Sequence, residues 1–463
     1  MGKLATLANW VERNQLKTIL ILGIVLRIFV FVIQNPCNPD SHITNIEHIL
    51  DHHEIPISRL YSHSFHPPLY YLLAAPFLKI GGIKTVQFFS LIVSVITLFF
   101  FYSFIGKTKF IEGIRNKMIA LGLAAFLPEF VMFTLYISND TLTFLLGCVL
   151  SIQLCRYMEK PDFKNECIMA VLLGLGILTK GTMLIFIPVC GLVILLVQIR
   201  KKNKLYKIAF SLVLFTVIFS VLGFYKFYEN IVYEGRPLVH SLDWKPSWAE
   251  GQRFKQAPMS AILDINIIKL IKEPILSDKT VFSLPLELYA SFYYKYMYGE
   301  NNFIGWYSKF KYIGSIIYLF GLLPILLIFA GFFRICISSF GLITKIKSLP
   351  DDVFNKKLFE VLSCILLVVN FALVVVNAWK YDVWSFFTAR LFFQSLLSII
   401  ILFNSGLELV KDKFGKAVTT IITFDVGLLY FWCVVYFIAE GMILLVFHFF
   451  NTAPPVPSIW LSC

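Results

Sequence analysis

The segment 40–71 contains the side chains of this chain that are best suited to chemistry. It opens at Asp40 with Asp-Ser-His, closes at His66 with His-Pro-Pro-Leu-Tyr-Tyr, and holds six of the eight histidines of the chain. It also follows directly on an apolar stretch that is long enough to cross a bilayer. A carboxylate there could accept a proton from a hydroxyl, and histidines could bind an anion or a metal. The pattern therefore predicts a titratable site at a membrane surface.

Composition places this site in a polytopic membrane protein. Of the 463 residues, 58% are hydrophobic and 15% are charged, and the mean hydropathy is +0.76. A membrane-spanning helix needs about 20 apolar residues. The predicted fold class is all-α, a bundle of about 11 transmembrane helices with interfacial helices on the outer face. The predicted spans are 18–34, 84–105, 117–136, 140–156, 165–179, 181–199, 206–227, 309–333, 358–378, 387–408 and 417–439.

The charge distribution predicts how this bundle is oriented. The net charge is +13, and the basic residues concentrate in five loops that the positive-inside rule places in the cytoplasm. These loops are 107–117, 156–164, 200–204, 345–357 and 411–416. All five reach that side only if the segment 67–82, which ends at Gly81-Gly82, is a re-entrant or interfacial helix on the outer face. No hydrophilic face alternates basic and aromatic residues, which argues against a nucleic-acid partner.

The predicted orientation divides the chain into a core and a tail. The core, 1–408, includes a first outer loop, 35–83, and a long outer loop, 228–308, whose aromatic residues suit an interfacial or sugar-stacking surface. The remainder, 409–463, is predicted to be a C-terminal transmembrane region with an outer tail. We expect one long helix in this region, broken near Glu440-Gly441.

The first outer loop is predicted to contain an amphipathic helix on the membrane surface. Ile43, Ile46 and Leu50 recur at helical spacing. The opposite face is predicted to be polar, with Asn45, His48, Asp51 and His52. Such a helix could seal the loop against lipid, shape a headgroup site, or do both.

Three ionisable residues farther along the chain are predicted to reach the same face of the membrane. Asp140 and Lys180 lie at outer turns, and Arg390 lies at the outer start of a late helix. Charged side chains at the bilayer edge are costly, so each needs a partner or a role. Two carboxylates and several cations at one interface suggest that the cations hold a phosphate while a carboxylate deprotonates an attacking hydroxyl.

The order of these motifs resembles that of the GT-C glycosyltransferases that use polyprenyl-phosphate sugars. The nearest groups are the protein O-mannosyltransferase-like and the lipid A aminoarabinose transferase-like enzymes. The most specific part is Pro-Asp at Asp40 followed by His-Pro-Pro-Leu-Tyr-Tyr at His66. Ser-Asn-Asp-Thr-Leu around Asp140, Leu-Thr-Lys-Gly around Lys180 and Ala-Arg-Leu-Phe around Arg390 follow. The resemblance extends from about residue 18 to residue 408.

The resemblance implies a role for each motif residue. Asp40 corresponds to the first-loop acid, the general base for the acceptor hydroxyl, and Asp140 corresponds to a second acid that positions the acceptor or a metal. The implied substrate-binding residues are His42, His66, Tyr70, Lys180 and Arg390. Of these, the resemblance implies that His66, Lys180 and Arg390 face the donor phosphate. Relatives often carry Asp-Glu where this chain has Asp-Ser at Asp40, so the neighbouring carboxylate is missing here.

A divalent metal, zinc or manganese, is the one cofactor that the residue types suggest. Asp40 and His42 are the favoured ligands. His48 and His52 are separated by four residues and would face one ion from a helix, but this pair is the weaker candidate because surface histidines are common on interfacial helices.

Simpler structural roles also fit these four residue types. Asp40 could cap the helix that begins near Ile43, and Asp140 could cap its own helix. Lys180 and Arg390 could be anchors whose charged ends reach the interface.

The predicted function is that of an inverting glycosyltransferase in a multi-pass membrane protein. It would move a hexose or pentose from a dolichyl or undecaprenyl phosphate donor to a hydroxyl of a protein, lipid or glycan. The site would face the outside of a bacterial plasma membrane or the lumen of the endoplasmic reticulum. The alternatives are a lipid or glycan transporter or flippase, and a glycan ligase or polymerase. Transporters carry charges at mid-membrane, where this chain has few, with Arg27 in the first span as an exception, and this favours an enzyme.

Overall fold

The computed structural model describes residues 13–36, 38, 40–246, 249–250, 263–274, 283–293, 304–340, 348–383 and 388–449. This part of the chain is a helical bundle, and 82% of the structure is helix. The predicted all-α fold class of a polytopic membrane protein is therefore confirmed.

The described residues form fifteen α-helices and three short 3₁₀ helices. The α-helices are α1 Gln15–Ile33, α2 Ile43–His52, α3 Leu69–Lys107, α4 Ile114–Phe126, α5 Pro128–Met132, α6 Asn139–Glu159, α7 Phe163–Thr179, α8 Phe186–Arg200, α9 Leu205–Gly223, α10 Tyr225–Glu234, α11 Ile267–Lys272, α12 Leu284–Tyr293, α13 Ile304–Ser338, α14 Asp351–Tyr381 and α15 Leu396–Phe449. The 3₁₀ helices are Gly181–Ile185, Ser241–Trp244 and Ala389–Ser395.

Eight helices of the described chain are long and apolar enough to cross a membrane, whereas eleven spans were predicted. One predicted span, 117–136, is divided into α4 and α5 because the ring of Pro128 cannot continue the hydrogen-bond ladder of α4. Another, α7, has 17 residues and is short for a span. The last of the eight combines two predicted spans. The number eleven therefore stays a prediction.

Helix α3 contains the break on which the predicted orientation depends. Gly81 and Gly82 leave the helical conformation, and Gly82 has a φ of 69°, which a residue without Cβ adopts freely. After the break, Lys84 donates hydrogen bonds to the carbonyl oxygens of Phe31 and Gln34 at the end of α1, at 2.7 and 3.1 Å. The chain therefore leaves α1 and enters the long arm of α3 at the same end of the bundle, as a re-entrant segment requires. The segment 69–80 is about 18 Å long, which is too short to cross.

The break predicted near Glu440-Gly441 is wrong. Helix α15 is instead interrupted at Gly415, where φ is 80°. The Glu440 carboxylate accepts a hydrogen bond from Gln34 at 2.8 Å. A Cβ at Gly441 would lie 2.6 Å from the Phe29 ring, so this glycine permits close helix contact instead of ending the helix.

The predicted surface helix is present as α2, but its predicted polar face is only partly correct. Asp51 and His52 are exposed, whereas Asn45 and His48 are buried with Ile46. Each residue of the buried pair has one partner in the following loop, because Ser64 donates to Asn45 Oδ1 and the Tyr61 hydroxyl contacts His48 Nδ1. Helix α2 therefore packs its polar residues against the protein.

Four of the five basic loops meet at one end of the bundle. Arg200 is bound to Asp351 at 2.6 Å, Lys356 lies 3.7 Å from Glu112, and Arg334 is bound to Asp412 at 3.0 Å. Helix α6 runs from Asp140 at the opposite end toward this one, and α7 returns to Lys180. The predicted site residues and the basic loops thus occupy opposite ends. Which end faces the cytoplasm stays a prediction.

Candidate active site

Asp40 and Arg390 form the first ion pair of the candidate site. Arg390 Nη1 donates to Asp40 Oδ2 at 2.7 Å across 350 residues of sequence. Both side chains are partly accessible, with 21% of Asp40 and 28% of Arg390 exposed. The helix-cap interpretation of Asp40 is wrong, because Asn38 Oδ1 accepts the Ile43 backbone N–H at the start of α2. Arg390 binds a carboxylate and is not simply an interfacial anchor.

Asp140 and Lys180 form the second, more deeply buried pair. Lys180 Nζ donates to Asp140 Oδ1 at 2.5 Å, and only 3% of Asp140 and 9% of Lys180 is exposed. Ser138 caps α6 by accepting the Asp140 backbone N–H at 3.2 Å, so Asp140 is not the cap. Lys180 follows α7 and points inward, which rules out the anchor interpretation.

His42 lies between the two pairs. Its Nε2 is 3.8 Å from Asp40 Oδ2 and 3.5 Å from the Ser138 hydroxyl, which in turn donates to Asp140 Oδ2 at 3.1 Å. Its Nδ1 shares a hydrogen bond of 2.8 Å with the Tyr71 hydroxyl. The imidazole therefore connects both carboxylates, and Tyr71 fixes its orientation.

Two more imidazoles pack against His42. The His63 ring lies 5.1 Å and the His66 ring 5.7 Å from it, centroid to centroid, and His63 and His66 are 5.7 Å apart. Sequence reasoning missed His63, because its type alone does not separate it from the exposed histidines at 52 and 53. Tyr70 is fully buried and packs edge-on against His42, so it forms a wall of the site, and its contact with substrate stays a prediction.

The pairs and the histidines set the protonation of the site. Burial would raise the pKa of Asp40, but Arg390, followed by His63 and His42, holds it well below its usual range. Burial, assisted by the nearby cations, lowers the pKa of His63 and takes those of His42 and His66 well below the usual range. The three imidazoles are therefore neutral at neutral pH.

His240 packs among aromatic rings that border the other histidines. The His240 ring lies 4.5 Å from Phe65 and 5.1 Å from Tyr381. Burial lowers the pKa of His240 to about 3. His240 was missed because it lies far along the chain in an unpatterned loop. Trp248 in the long outer loop and Trp384 close to Arg390 lie outside the described residues.

The predicted metal ligands fit an ion poorly in this arrangement. Arg390 already binds Asp40 Oδ2, and Tyr71 binds His42 Nδ1. Within the described ranges, no group of three or more His, Cys, Asp or Glu side chains could hold a metal ion. His48 and His52 stack at 4.5 Å, and His48 Nδ1 contacts the Tyr61 hydroxyl. A metal requirement remains a prediction.

The fold and the site together define a polytopic membrane protein with a charged, histidine-rich pocket at one end of its bundle. Residues 65–224 match the family model of the dolichyl-phosphate-mannose-protein mannosyltransferases. This segment is about a third of the chain and includes His66, Asp140 and Lys180. The predicted resemblance to GT-C glycosyltransferases is confirmed by this match.

Among solved structures, the chain matches the crystal structure of ArnT from Cupriavidus metallidurans in the apo state. The similarity covers 87% of this chain and 78% of that one, with 13% sequence identity and a TM-score of 0.38. No curated protein sequence matches the chain.

Proposed function

We propose that this protein is an integral-membrane glycosyltransferase that uses a polyprenyl-phosphate-linked sugar. The observation that carries the proposal is the accessible Asp40–Arg390 pair, set beside the buried Asp140–Lys180 pair and the three histidines. Such a site offers a base for a hydroxyl and cations for a phosphate, which are the two requirements of this reaction. The family match supports the assignment to glycosyltransferases.

The reaction that fits these groups is a direct displacement. The acceptor hydroxyl gives its proton to Asp40 while its oxygen bonds to the anomeric carbon. The bond between that carbon and the phosphate oxygen breaks, and its electron pair leaves with the polyprenyl phosphate. Attack from the opposite face inverts the anomeric configuration. Phosphate is already a good leaving group, so a strong general acid is not needed as it is in glycoside hydrolysis.

Arg390 would keep Asp40 a weak base until the donor is bound. In the free protein it lowers the pKa of Asp40, which makes this carboxylate a weak base. A donor phosphate would compete for the guanidinium and form charge-assisted hydrogen bonds with it. Asp40 would then lose part of its stabilisation and become more basic when the acceptor is deprotonated. His66 and Lys180 would complete the phosphate contacts.

A transporter is less consistent with the charges inside the bundle. Arg27, the charge inside the first span, is fully buried and is surrounded by oxygen acceptors. It donates to the carbonyls of Gly23, Ala124 and Ala125 and to the Ser94 hydroxyl, at 2.9–3.0 Å. Arg27 therefore has a structural role.

Mass spectrometry of the purified protein with a panel of dolichyl- and undecaprenyl-phosphate sugars tests this proposal. We expect a bound lipid and, when acceptor is supplied by membrane extract, release of polyprenyl phosphate. Arg390→Gln should weaken lipid binding by about tenfold or more, since it removes a charge-assisted contact. Arg115→Gln, an exposed arginine in a basic loop at the other end of the bundle, is the matched control. If no lipid binds, or if both variants bind alike, the proposed phosphate cradle is wrong.

A further inference from the structure

Helix α10 buries its polar side chains and exposes its apolar ones. Its polar residues Lys226, Glu229 and Asn230 are 1%, 7% and 4% exposed, whereas Tyr228 and Val232 are 69% and 57% exposed. In water, an exposed face of this kind is unfavourable, because burying apolar surface is the main driving force of folding. The surroundings of α10 are therefore expected to be apolar on its outer face.

The buried polar face of α10 holds the first outer loop. Lys226 Nζ donates to Glu229 Oε1 at 2.7 Å and to the Pro56 carbonyl at 2.8 Å. The Ser58 hydroxyl donates to Asn230 Oδ1 at 2.5 Å. These contacts fix the segment 56–59, which lies shortly before His63 and His66. These two residues together with His42 form the histidine cluster of the candidate site.

The exposed apolar face of α10 continues the outer face of helix α9. Helix α9 is apolar enough to span a membrane and is little covered by the rest of the protein. Only Phe224 separates the two helices, and its N–H and carbonyl continue the hydrogen bonding at 3.0 and 2.9 Å. Exposed apolar residues recur at spacings of three and four across this junction: Tyr206, Phe210, Val213, Val217, Val221, Tyr225, Tyr228 and Val232.

The combined length of the two helices puts α10 at the edge of a bilayer. The segment 205–234 is about 45 Å long, whereas the hydrocarbon core is about 30 Å thick. The outward residues of the span are mostly valine and phenylalanine, and those of α10 include three tyrosines, 225, 228 and 233. Tyrosine is enriched at the headgroup level because its ring is apolar and its hydroxyl is polar.

We infer that the outer face of α10, formed by Tyr225, Tyr228, Ile231 and Val232, is a lipid-contact surface at the headgroup level of the bilayer. Through its inner face, α10 anchors the first outer loop, and with it the histidine cluster, at that same level. The partner is the bilayer itself. This surface does not depend on what reaction the site performs.

Site-specific fluorescence quenching in lipid vesicles tests the inference. A fluorescent amino acid is placed at position 228, in the otherwise unchanged protein, and is quenched either by brominated phosphatidylcholine or by iodide in the water. The lipid control has the probe at 213, in the middle of α9. The water control has it at Glu54, whose side chain is 70% exposed.

The probe at 228 is expected to be quenched by brominated lipid at least half as strongly as the probe at 213, and by iodide less than half as strongly as the probe at Glu54. Iodide quenching equal to that at Glu54, without lipid quenching, would overturn the inference. So would protection from both quenchers with crosslinking of position 228 to a second copy of the chain, which would make this face a protein interface.

Discussion

Each carboxylate of the candidate site is bound by one cation, and the two pairs differ in accessibility. Asp40 and Arg390 are 21% and 28% exposed, whereas Asp140 and Lys180 are 3% and 9% exposed. A substrate can therefore contact Asp40 and Arg390 without prior rearrangement of the surrounding protein. This difference supports the proposal that Asp40 is the base, whereas Asp140 accepts a hydrogen bond from Ser138 inside the protein.

A double-mutant cycle on the buried pair separates structure from chemistry. Asp140→Asn or Lys180→Gln alone leaves one buried charge unpaired, and each should cost about 3–5 kcal/mol of stability. The double variant should be more stable than either single variant, because no unpaired charge remains. Thermal unfolding in detergent measures this coupling. Additive losses of stability would contradict the ion pair.

The neutral histidines make stability depend on pH. His42, His63 and His66 have folded-state pKa values below their unfolded values. The unfolded chain therefore binds more protons once the pH falls below about 6.5, and stability decreases as the pH is lowered from about 7 to about 5. His66→Gln should flatten this decrease in the thermal midpoint, while His52→Gln, at an exposed position, should not. Equal slopes in both variants would refute the buried neutral state of His66.

The residue types of the site could be predicted, but their pairing could not. Asp40, His42, Asp140, Lys180 and Arg390 are identifiable because charged side chains at helix ends near a bilayer are unusual. Which acid binds which cation is decided by contacts between segments 350 and 40 residues apart. No local pattern encodes such contacts.

Interruptions within long helices determine at which end of the bundle the loops of the candidate site lie. The break at Gly81-Gly82 returns the chain to the end of α1 and keeps the loop 35–83 on one side. That break was predictable from two adjacent glycines. The interruption of α15 at Gly415 lies in the predicted basic loop 411–416, whereas the further break predicted near Gly441 is absent because that glycine serves packing. Sequence alone does not distinguish these two uses of glycine.

The contacts of Lys226 and Asn230 on α10 with Pro56 and Ser58, here called the polar clamp, should limit the mobility of the first outer loop. Glu229→Gln removes the charge partner of Lys226, which is 1% exposed. We expect faster amide hydrogen exchange in the segment 56–66, because loosened contacts favour local opening. Glu54→Gln, a change of the same type at an exposed carboxylate, should leave the exchange unchanged. Unaltered exchange in Glu229→Gln would mean that the clamp does not hold the loop.

The crossing of α13 and α15 depends on small residues. A Cβ at Gly331 would collide with the Leu402 carbonyl, whereas a Cβ at Gly427, on the open side of α15, meets no atom within 4 Å. Gly331→Ala should therefore lower stability by about 1–3 kcal/mol through overpacking. Gly427→Ala should be neutral or slightly stabilising. Thermal midpoints in detergent compare the two, and similar midpoints would contradict this crossing.

At the scale of the whole molecule, the bundle separates a basic end from the end that holds the candidate site, here called the catalytic end after its proposed role. Four basic loops join in ion pairs at one end, and the two carboxylate–cation pairs lie at the other. The positive-inside rule then predicts that the catalytic end faces away from the cytoplasm. A lipid-linked sugar presented on that side would meet the site at the level of its own phosphate.

This separation has a direct topological test. Cysteine or glycosylation-tag accessibility at an exposed residue of each end, Glu54 and Lys201, should report opposite sides of the membrane. We expect Glu54 outside or in the lumen and Lys201 in the cytoplasm. Labelling of both from the same side would contradict the orientation and the re-entrant segment on which it rests.

The most direct test of the proposed function is transfer of sugar by Asp40→Asn. The purified variant and the wild type are compared with the same polyprenyl-phosphate donor and acceptor extract, and Asp51→Asn, an exposed aspartate of the same loop, is the control. A general base contributes about 10²–10⁴-fold, so we predict that Asp40→Asn binds polyprenyl phosphate but transfers sugar at least about 100-fold more slowly. Asp51→Asn should match the wild type. Undiminished transfer by folded Asp40→Asn would contradict the account.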